Sequence, residues 1–424
     1  MPTSDRRVVT LGQLIDSGCA SLQTGPFGSQ LHASDYVPSG VALIPTEAIG
    51  RRSIRDSVLP QVSEETAARL SRHFLQAGDI LFARRGVQAT GLSAIVTDRH
   101  AGALCSTGAI RLRVSSPDVD PAFVSFWLST PRSVEWIKAH AVGGVMPNVN
   151  ESVLRLLPLE LPLVDVQIEI AGLLGRMDEK IRVNSDVNNK LETLATALFR
   201  SWFVDFDPVV AKRDGRMPVG VPSDVFDLFS SHFEDSELGP IPQGWRVASV
   251  GEICELRYGK ALPERSRQTG KVPVLGSNGV VGWHNGALVA GPGIVVGRKG
   301  TAGTVTWVST DFFPIDTTFY VVPKANMPMS WISEALRDLA LERHAGDSAV
   351  PGLNRDSANS QQVIRPPDSL LRAFDDLWCS MRQLRDHNDV ENKTLAELRD
   401  SLIGPLLSGE LTLNKAENAV GAVL

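Results

Sequence analysis

From residue 167 to residue 203 the chain carries no proline, and Leu174, Met177, Ile181, Asn184, Asn188, Leu191, Ala195 and Leu198 recur at alternating spacings of three and four. That spacing lays one mostly apolar stripe along one face of a helix, with the period of a packed seam. A second stripe, from about 370 to 407, carries Trp378, Met381, Asn388, Asn392, Leu395 and Leu402, interrupted by Arg385 and Arg399. Each stripe holds two asparagines in the same register. An asparagine in a seam weakens it but specifies register and partner. The pattern predicts two long helices packed antiparallel on each other, holding whatever they connect at a fixed separation.

The rest reads differently. Short apolar runs at 80–83, 294–297, 303–308 and 318–322 are bounded by Gly, Pro or Asn, as strands are. Short helices are expected over 122–128, 131–139 and 329–343. The runs also repeat. AGDILFARRG (77–86) lies over GPGIVVGRKG (291–300), and GGVMPNVN (143–150) over DSAVPGLN (347–354). The second register pairs Pro147 with Pro351, Asn150 with Asn354 and Pro162 with Pro366. It also pairs Leu191, Leu194 and Leu198 with Leu395, Leu398 and Leu402. Two half-molecules follow, each a mixed α/β globule and a helix. Glycines crowd 259–303, which predicts tight turns and backbone lying close to a ligand.

At 424 residues and 43% hydrophobic, the chain suits two or three domains with real cores. No apolar run reaches the ~20 residues of a membrane span. The first ten residues hold no apolar export segment, so a cytoplasmic protein with no membrane partner is expected. Cys19, Cys105, Cys254 and Cys379 lie far apart, without metal-ligand spacing, and read as reduced thiols. The net charge of −6 hides local reversals. Between 51 and 113 there are ten Arg against five acids; between 257 and 300, seven Lys or Arg against Glu264 alone; between 205 and 237, eight acids against three bases. A basic run is usually a solvated face, but recurrence in two corresponding places argues for a contact surface.

Two similar modules at a fixed separation suit a target with two half-sites, and double-stranded DNA is such a target. Lys and Arg would meet phosphates, and polar side chains would read base edges. Candidates are Ser29, Gln30, Arg84, Arg85 and Gln88 in the first globule. In the second they are Tyr258, Lys260, Ser277, Asn278, Arg298 and Lys299. The pairs Arg84–Arg85 and Arg298–Lys299 carry most weight, because they recur after corresponding strands.

Several stretches resemble the specificity subunits of type I restriction–modification systems. They are GPFGSQL (25–31), KLETLATALFRSWFVDFDPV (190–209), LGPIPQGWRVASVGEI (238–253), VPVLGSNGVVGWHN (272–285) and the terminal helix ending LIGPLLSGEL (402–411). The resemblance implies an α+β fold: two mixed α/β target-recognition domains in a pseudo-twofold arrangement, separated by two long antiparallel coiled-coil helices. Each domain would read one half of a split DNA site. The helix seam (Leu174, Met177, Ile181, Asn184, Asn188, Leu191, Leu198, Trp378, Met381, Asn388, Asn392, Leu395, Leu402) would serve as spacer and as docking surface. Two methylation subunits would dock there and methylate adenine from S-adenosylmethionine, and motor–nuclease subunits would join them, using ATP and Mg. None of those cofactor sites is expected on this chain. The first globule carries LIPTEAIG (43–50) where the second has its SNG segment, implying unlike half-sites.

The expected boundaries are 1–163 and 244–366 for the recognition domains, and 164–204 and 367–410 for the spacer helices. An acidic connector spans 205–243, and 411–424 is a tail given no role. No Walker A loop, no Asn/Asp-Pro-Pro-Tyr/Phe methyltransferase segment and no nuclease carboxylate pattern is found, so catalytic and metal residues are expected to be absent. The rival readings are an enzyme with an unrecognised site and a scaffold that assembles a DNA-modifying complex without touching DNA.

Overall fold

The computed structural model describes residues 6–27, 30–55, 59–84, 89–142, 148–218, 220–324, 326–344 and 352–421. It divides into two compact units, one of residues 1–183 with 391–424, the other of 184–390. Each unit takes a globule together with half of each long helix, where the boundaries drawn above keep helices and globules apart.

The first globule is built on an antiparallel sheet in the order Ala20–Thr24, Ala109–Val114, Ile80–Ala83, Ser93–Ile95. Ile80–Ala83 is buried at every position, which explains why it reads as an unbroken apolar run rather than an alternating one. A second sheet runs Tyr36–Val37, Gln61–Val62, Val41–Ile44, Leu104–Cys105, its last pair parallel. A ribbon of Arg7–Thr10 against Pro158–Leu161 brings the globule's two ends together.

The second globule repeats this order. Cys254–Tyr258, Thr318–Pro323, Gly293–Gly297 and Val305–Val308 form the antiparallel sheet. Gly279–His284, Val272–Gly276 and Phe313–Pro314 form the second sheet, its last pair again parallel. Arg246–Ser249 against Gln362–Arg365 is the closing ribbon. The motif equivalences are structural too. Val149 N–H donates to the Arg84 carbonyl and Leu353 N–H to the Arg298 carbonyl. Asn150 and Asn354 then each cap a short helix, Glu151–Arg155 and Arg355–Asn359, with their side-chain oxygens. Asparagine recurs here because a helix start needs an acceptor for its orphan N–H groups.

The stripes predicted two long helices, and they run Val164–Phe203 and Asp368–Ser408. Buried Gln167 anchors the first turn, donating to the carbonyls of Pro162 and Asp118 and accepting from Asp120 N–H. At the far end Phe206, with φ 56°, turns the chain out. The helices pack antiparallel within each unit. In the first, Asp178 meets Arg399 and Lys180 meets Glu391; in the second, Asn188 meets Asn388 and Glu192 meets Arg385.

The short helices Pro121–Leu128 and Pro131–His140 lie where expected, while Met329–Asp338 stops short of the predicted end and is followed by a 3-10 turn. Of the strands, Val305–Val308 is shorter than expected, while Gly293–Gly297 and Thr318–Pro323 are each one residue longer.

Two segments are more ordered than their composition suggests. The acidic stretch contains the helices Asp207–Arg213 and Ser223–Phe226 and a hairpin, Phe233–Ser236 with Gly239–Pro242. Lys212 holds it by donating to the carbonyls of Phe226, Asp227 and Phe229. The tail forms the helix Leu413–Gly421, which buries Ala416 and Val420 in the first unit's core. Its alanines and valines sit on one face at helical spacing, so the segment has an apolar side to bury.

Candidate nucleic-acid interface

In the second unit one carbonyl gathers the candidates. Thr317 O accepts from Ser277 Oγ at 2.6 Å, Arg298 N–H at 2.9 Å and Lys299 N–H at 3.1 Å. The Ser277 hydroxyl is thereby committed to the fold, and its carbonyl accepts from Thr304 Oγ1. Asn278 stands beside it, exposed at the turn of the hairpin. Arg298 donates to the Asp316 carbonyl, and its guanidinium lies 4.9 Å from the Tyr258 ring centre. Arg355 approaches the same ring at 5.1 Å. Together with Lys299 and residues 352–356 these side chains line an open pocket of about 280 Å³. Lys260 is exposed, and among the described residues neither Lys260, Arg298 nor Lys299 forms an ion pair.

Several glycines of this unit lie against backbone of their own fold. A Cβ on Gly259 would sit 2.1 Å from the Ile315 carbonyl oxygen, and one on Gly291 2.3 Å from Thr310. Close strand and loop crossings in a small globule leave no room for a side chain there.

Of the first unit's candidates, the two that are described, Arg84 and Gln30, are engaged within the fold. Arg84 Nε donates to Asn148 Oδ1. Gln30 accepts from Phe27 N–H and Arg72 through its side chain and from Arg69 through its carbonyl. Ser29, Arg85 and Gln88 lie outside the described residues.

Part of the basic run from 51 to 113 is engaged inside the fold, while Arg51, Arg55, Arg69, Arg72 and Arg99 are exposed. Arg52 is buried over Phe126, donating to Asp178 and Ser125; burial lowers its pKa and Asp178 counters that. Arg113 pairs with buried Asp79, whose hydrogen bond raises its pKa. Arg111 donates to the carbonyls of Arg72 and Phe74, and Arg51 and Arg69 pair with Asp400 and Asp35. A count of charges along the chain cannot see these partners, since several come from distant residues. Beside Arg72 and Arg111, buried His73 is pushed down to about 4, first by burial and then by those two charges.

The seam residues are occupied within the chain. Leu174, Met177, Leu395 and Leu402 are buried in the first core, with Ile181 packed against it. Trp378 is buried in the second core, with Leu198 and Met381 against it. Asn184, Asn188 and Asn388 are buried, and Leu191 and Asn392 half-buried. Asn188 Nδ2 donates to Asp389 at 2.8 Å, and its oxygen accepts from Asn388 at 2.8 Å. The large apolar side chains left exposed on the helices are Ile168, Val183, Leu194, Leu384 and Val390.

Two exposed features escaped the sequence reading. Arg355 sits on a helix of only five residues, too short to announce itself by periodicity. On the hairpin strand Gly279–His284, Val280, Val281 and Trp283 are all exposed, and the clue available was an apolar strand lacking polar alternation.

All four cysteines are free, and burial pushes the thiols of Cys105 and Cys254 up to about 12. No helix among the described residues is long and apolar enough to cross a membrane.

The family model described as the type I restriction modification DNA specificity domain matches residues 48–193. The specificity subunit of the type I restriction enzyme HindI from Haemophilus influenzae is 22% identical over 359 residues, 69% of this chain and 77% of that protein. The MjaIX specificity subunit of Methanocaldococcus jannaschii is 22% identical over 317 residues, 69% of each chain. Among solved structures, the S subunit of a type I restriction–modification system from M. genitalium superposes with a TM-score of 0.58 at 18% identity, covering 96% of this chain and 97% of that one.

Proposed function

We propose that the chain is a specificity subunit of a type I restriction–modification system, as its domain-model match and its similarity to such subunits support, and that it reads a split DNA site through its two globules and performs no bond chemistry itself. The observation that carries this is the repeated sheet order, which in the second unit brings Tyr258, Arg298 and Lys299 to one open surface. A duplicated module presenting polar and cationic side chains fits two half-sites on one duplex, with phosphate contacts for affinity and base-edge contacts for sequence.

The long helices set the gap between the half-sites and dock two methylation subunits. Because the seam is filled by the chain's own residues, docking uses the outer faces, where Ile168, Val183, Leu194, Leu384 and Val390 are exposed. The methylation subunits bring S-adenosylmethionine and flip the adenine out of the duplex; motor–nuclease subunits bring ATP and Mg. The work is done in the cytoplasm, where the host DNA is.

The test is a methylation map of host DNA at single-base resolution, with the gene intact and deleted. Loss of adenine methylation at one split motif is expected and reads out both half-sites and the gap. An unchanged map from a host that expresses the methylation subunits would favour a scaffold that never touches DNA.

A further inference from the structure

The two globules differ most sharply where their sheet orders agree. The last residue of the first sheet strand is Thr24 in one unit and Tyr258 in the other; the glycine that follows donates to Ala109 O in the first and to Thr318 O in the second. The residue after the capping asparagine is Glu151 in the first unit and Arg355 in the second. Asn148, which occupies Arg84, has Gly352 as its counterpart.

The consequence is electrostatic. Around the Tyr258 ring the second unit gathers Arg298, Lys299 and Arg355, whose described carboxylate neighbours are Asp356, 3.9 Å from Arg355 Nε and facing solvent, and Glu255, which pairs with Arg257. Two guanidiniums within about 5 Å of one ring repel each other. They are kept there by main-chain bonds: Leu353 N–H to Arg298 O, the Lys299–Gly352 bridge, and the Asn354 cap. A surplus of fixed cations converging on an open pocket suits an anion with several acceptor oxygens, since a guanidinium presents donors in a planar fork.

Resting on the DNA reading above, we infer that this pocket seats one backbone phosphate of the half-site held by the second unit, through Arg298 and Arg355, and that the first unit, with Glu151 at the matching position, lacks that seat. The sequence-independent part of the affinity is then unequally divided between the half-sites. The pocket contributes to position and strength of binding but not to the choice of base.

The experiment uses the full chain in complex with its methylation subunits. A labelled duplex carrying the split motif and a duplex of random sequence are titrated over a range of salt. Arg355→Ala and Arg298→Ala should each weaken binding to both duplexes by on the order of tenfold and lower the salt slope by roughly 0.9. The preferred motif should stay the same, and Arg355→Lys should recover most of the loss. Glu151→Ala is expected to leave affinity for the random duplex within about twofold of wild type. Unchanged melting temperatures exclude misfolding, since Arg355 is exposed.

A changed preference at one half-site with an unaltered slope would make Arg355 a base reader and overturn the assignment. So would an unaltered slope and affinity. Binding of inorganic phosphate or ATP to the pocket, with duplex affinity insensitive to Arg355→Ala, would assign it to a small phosphate ligand instead. A wild-type complex with no affinity for any duplex would remove the DNA reading itself, and the phosphate seat with it.

Discussion

The two units share one sheet order and fill it with different side chains. Where the first long helix ends in the second unit, Phe199, Trp202 and Phe203 pack with Phe374, Trp331 and Trp245 in a cluster of edge-on and tilted rings. At the corresponding turns of the other helix, the first unit uses Ile403, Leu406 and Leu407 against Leu173 and Leu174. Aromatic and aliphatic cores support the same topology because the topology needs apolar volume at particular helical and strand positions, not particular side chains. The rims obey no such constraint. The second unit joins its hairpin strands by a tight Ser277–Asn278 turn, whereas the first inserts residues 45–60 between Val41–Ile44 and Gln61–Val62. A shared interior with divergent edges fits the proposal that the two units read unlike half-sites.

The comparison breaks first in the cores. Trp202→Ala should destabilise the second unit by about 4 kcal/mol and Leu406→Ala the first by about 3 kcal/mol, measured as shifts in urea midpoint. Equal losses would mean that the ring contacts add nothing beyond apolar area. Next comes Glu334, a fully buried carboxylate of the second unit that accepts from Trp378 Nε1, Thr196 and Arg337. Glu334→Ala leaves those donors without their acceptor and should cost about 3 kcal/mol. A loss below about 1 kcal/mol would show that water replaces it freely.

The smallest effects sharpen the likeness instead. Asn150→Ala and Asn354→Ala should each cost about 1 kcal/mol, and a large difference between them would contradict their equivalence as caps. The pH response should be one-sided. His73 belongs to the first unit, and its pKa falls from an ordinary 6.5 to about 4 in the fold. The folded form therefore favours the neutral ring. That stability is fully present above pH 6.5 and is lost as pH drops toward 4. His73→Gln should flatten the acid limb of the first unit's stability curve, followed by hydrogen exchange of Ile80–Ala83, and leave exchange of Gly293–Gly297 unchanged.

Much of this was legible along the chain. The stripe of Leu174, Met177 and Ile181 declared a helix because its period survives without knowledge of the partner. Ile80–Ala83 and Gly293–Gly297 declared central strands because both of their faces are covered. The pairing of Asn150 with Asn354 was visible although its reason, capping, was not. Arg298 and Lys299 were recognisable as a basic pair after a strand. Arg355 was not, because only the return of the chain at Leu353, bonded to Arg298, brings it to Tyr258. The partners of Arg51 and Arg52 were hidden for the same reason: Asp400 and Asp178, which engage them, come from the long helices.

By itself, then, the sequence determined the elements and their duplication, since period, turn chemistry and repeat spacing are local properties that survive being read in one dimension. Only the tertiary structure decided which charges face solvent and which are internal. It also decided that the asparagine seam is satisfied within the chain, and that Arg298, Lys299 and Arg355 meet around Tyr258 in the second unit. Those outcomes depend on pairs of groups far apart in sequence, whose Coulombic and hydrogen-bonding energies exist only at contact distance.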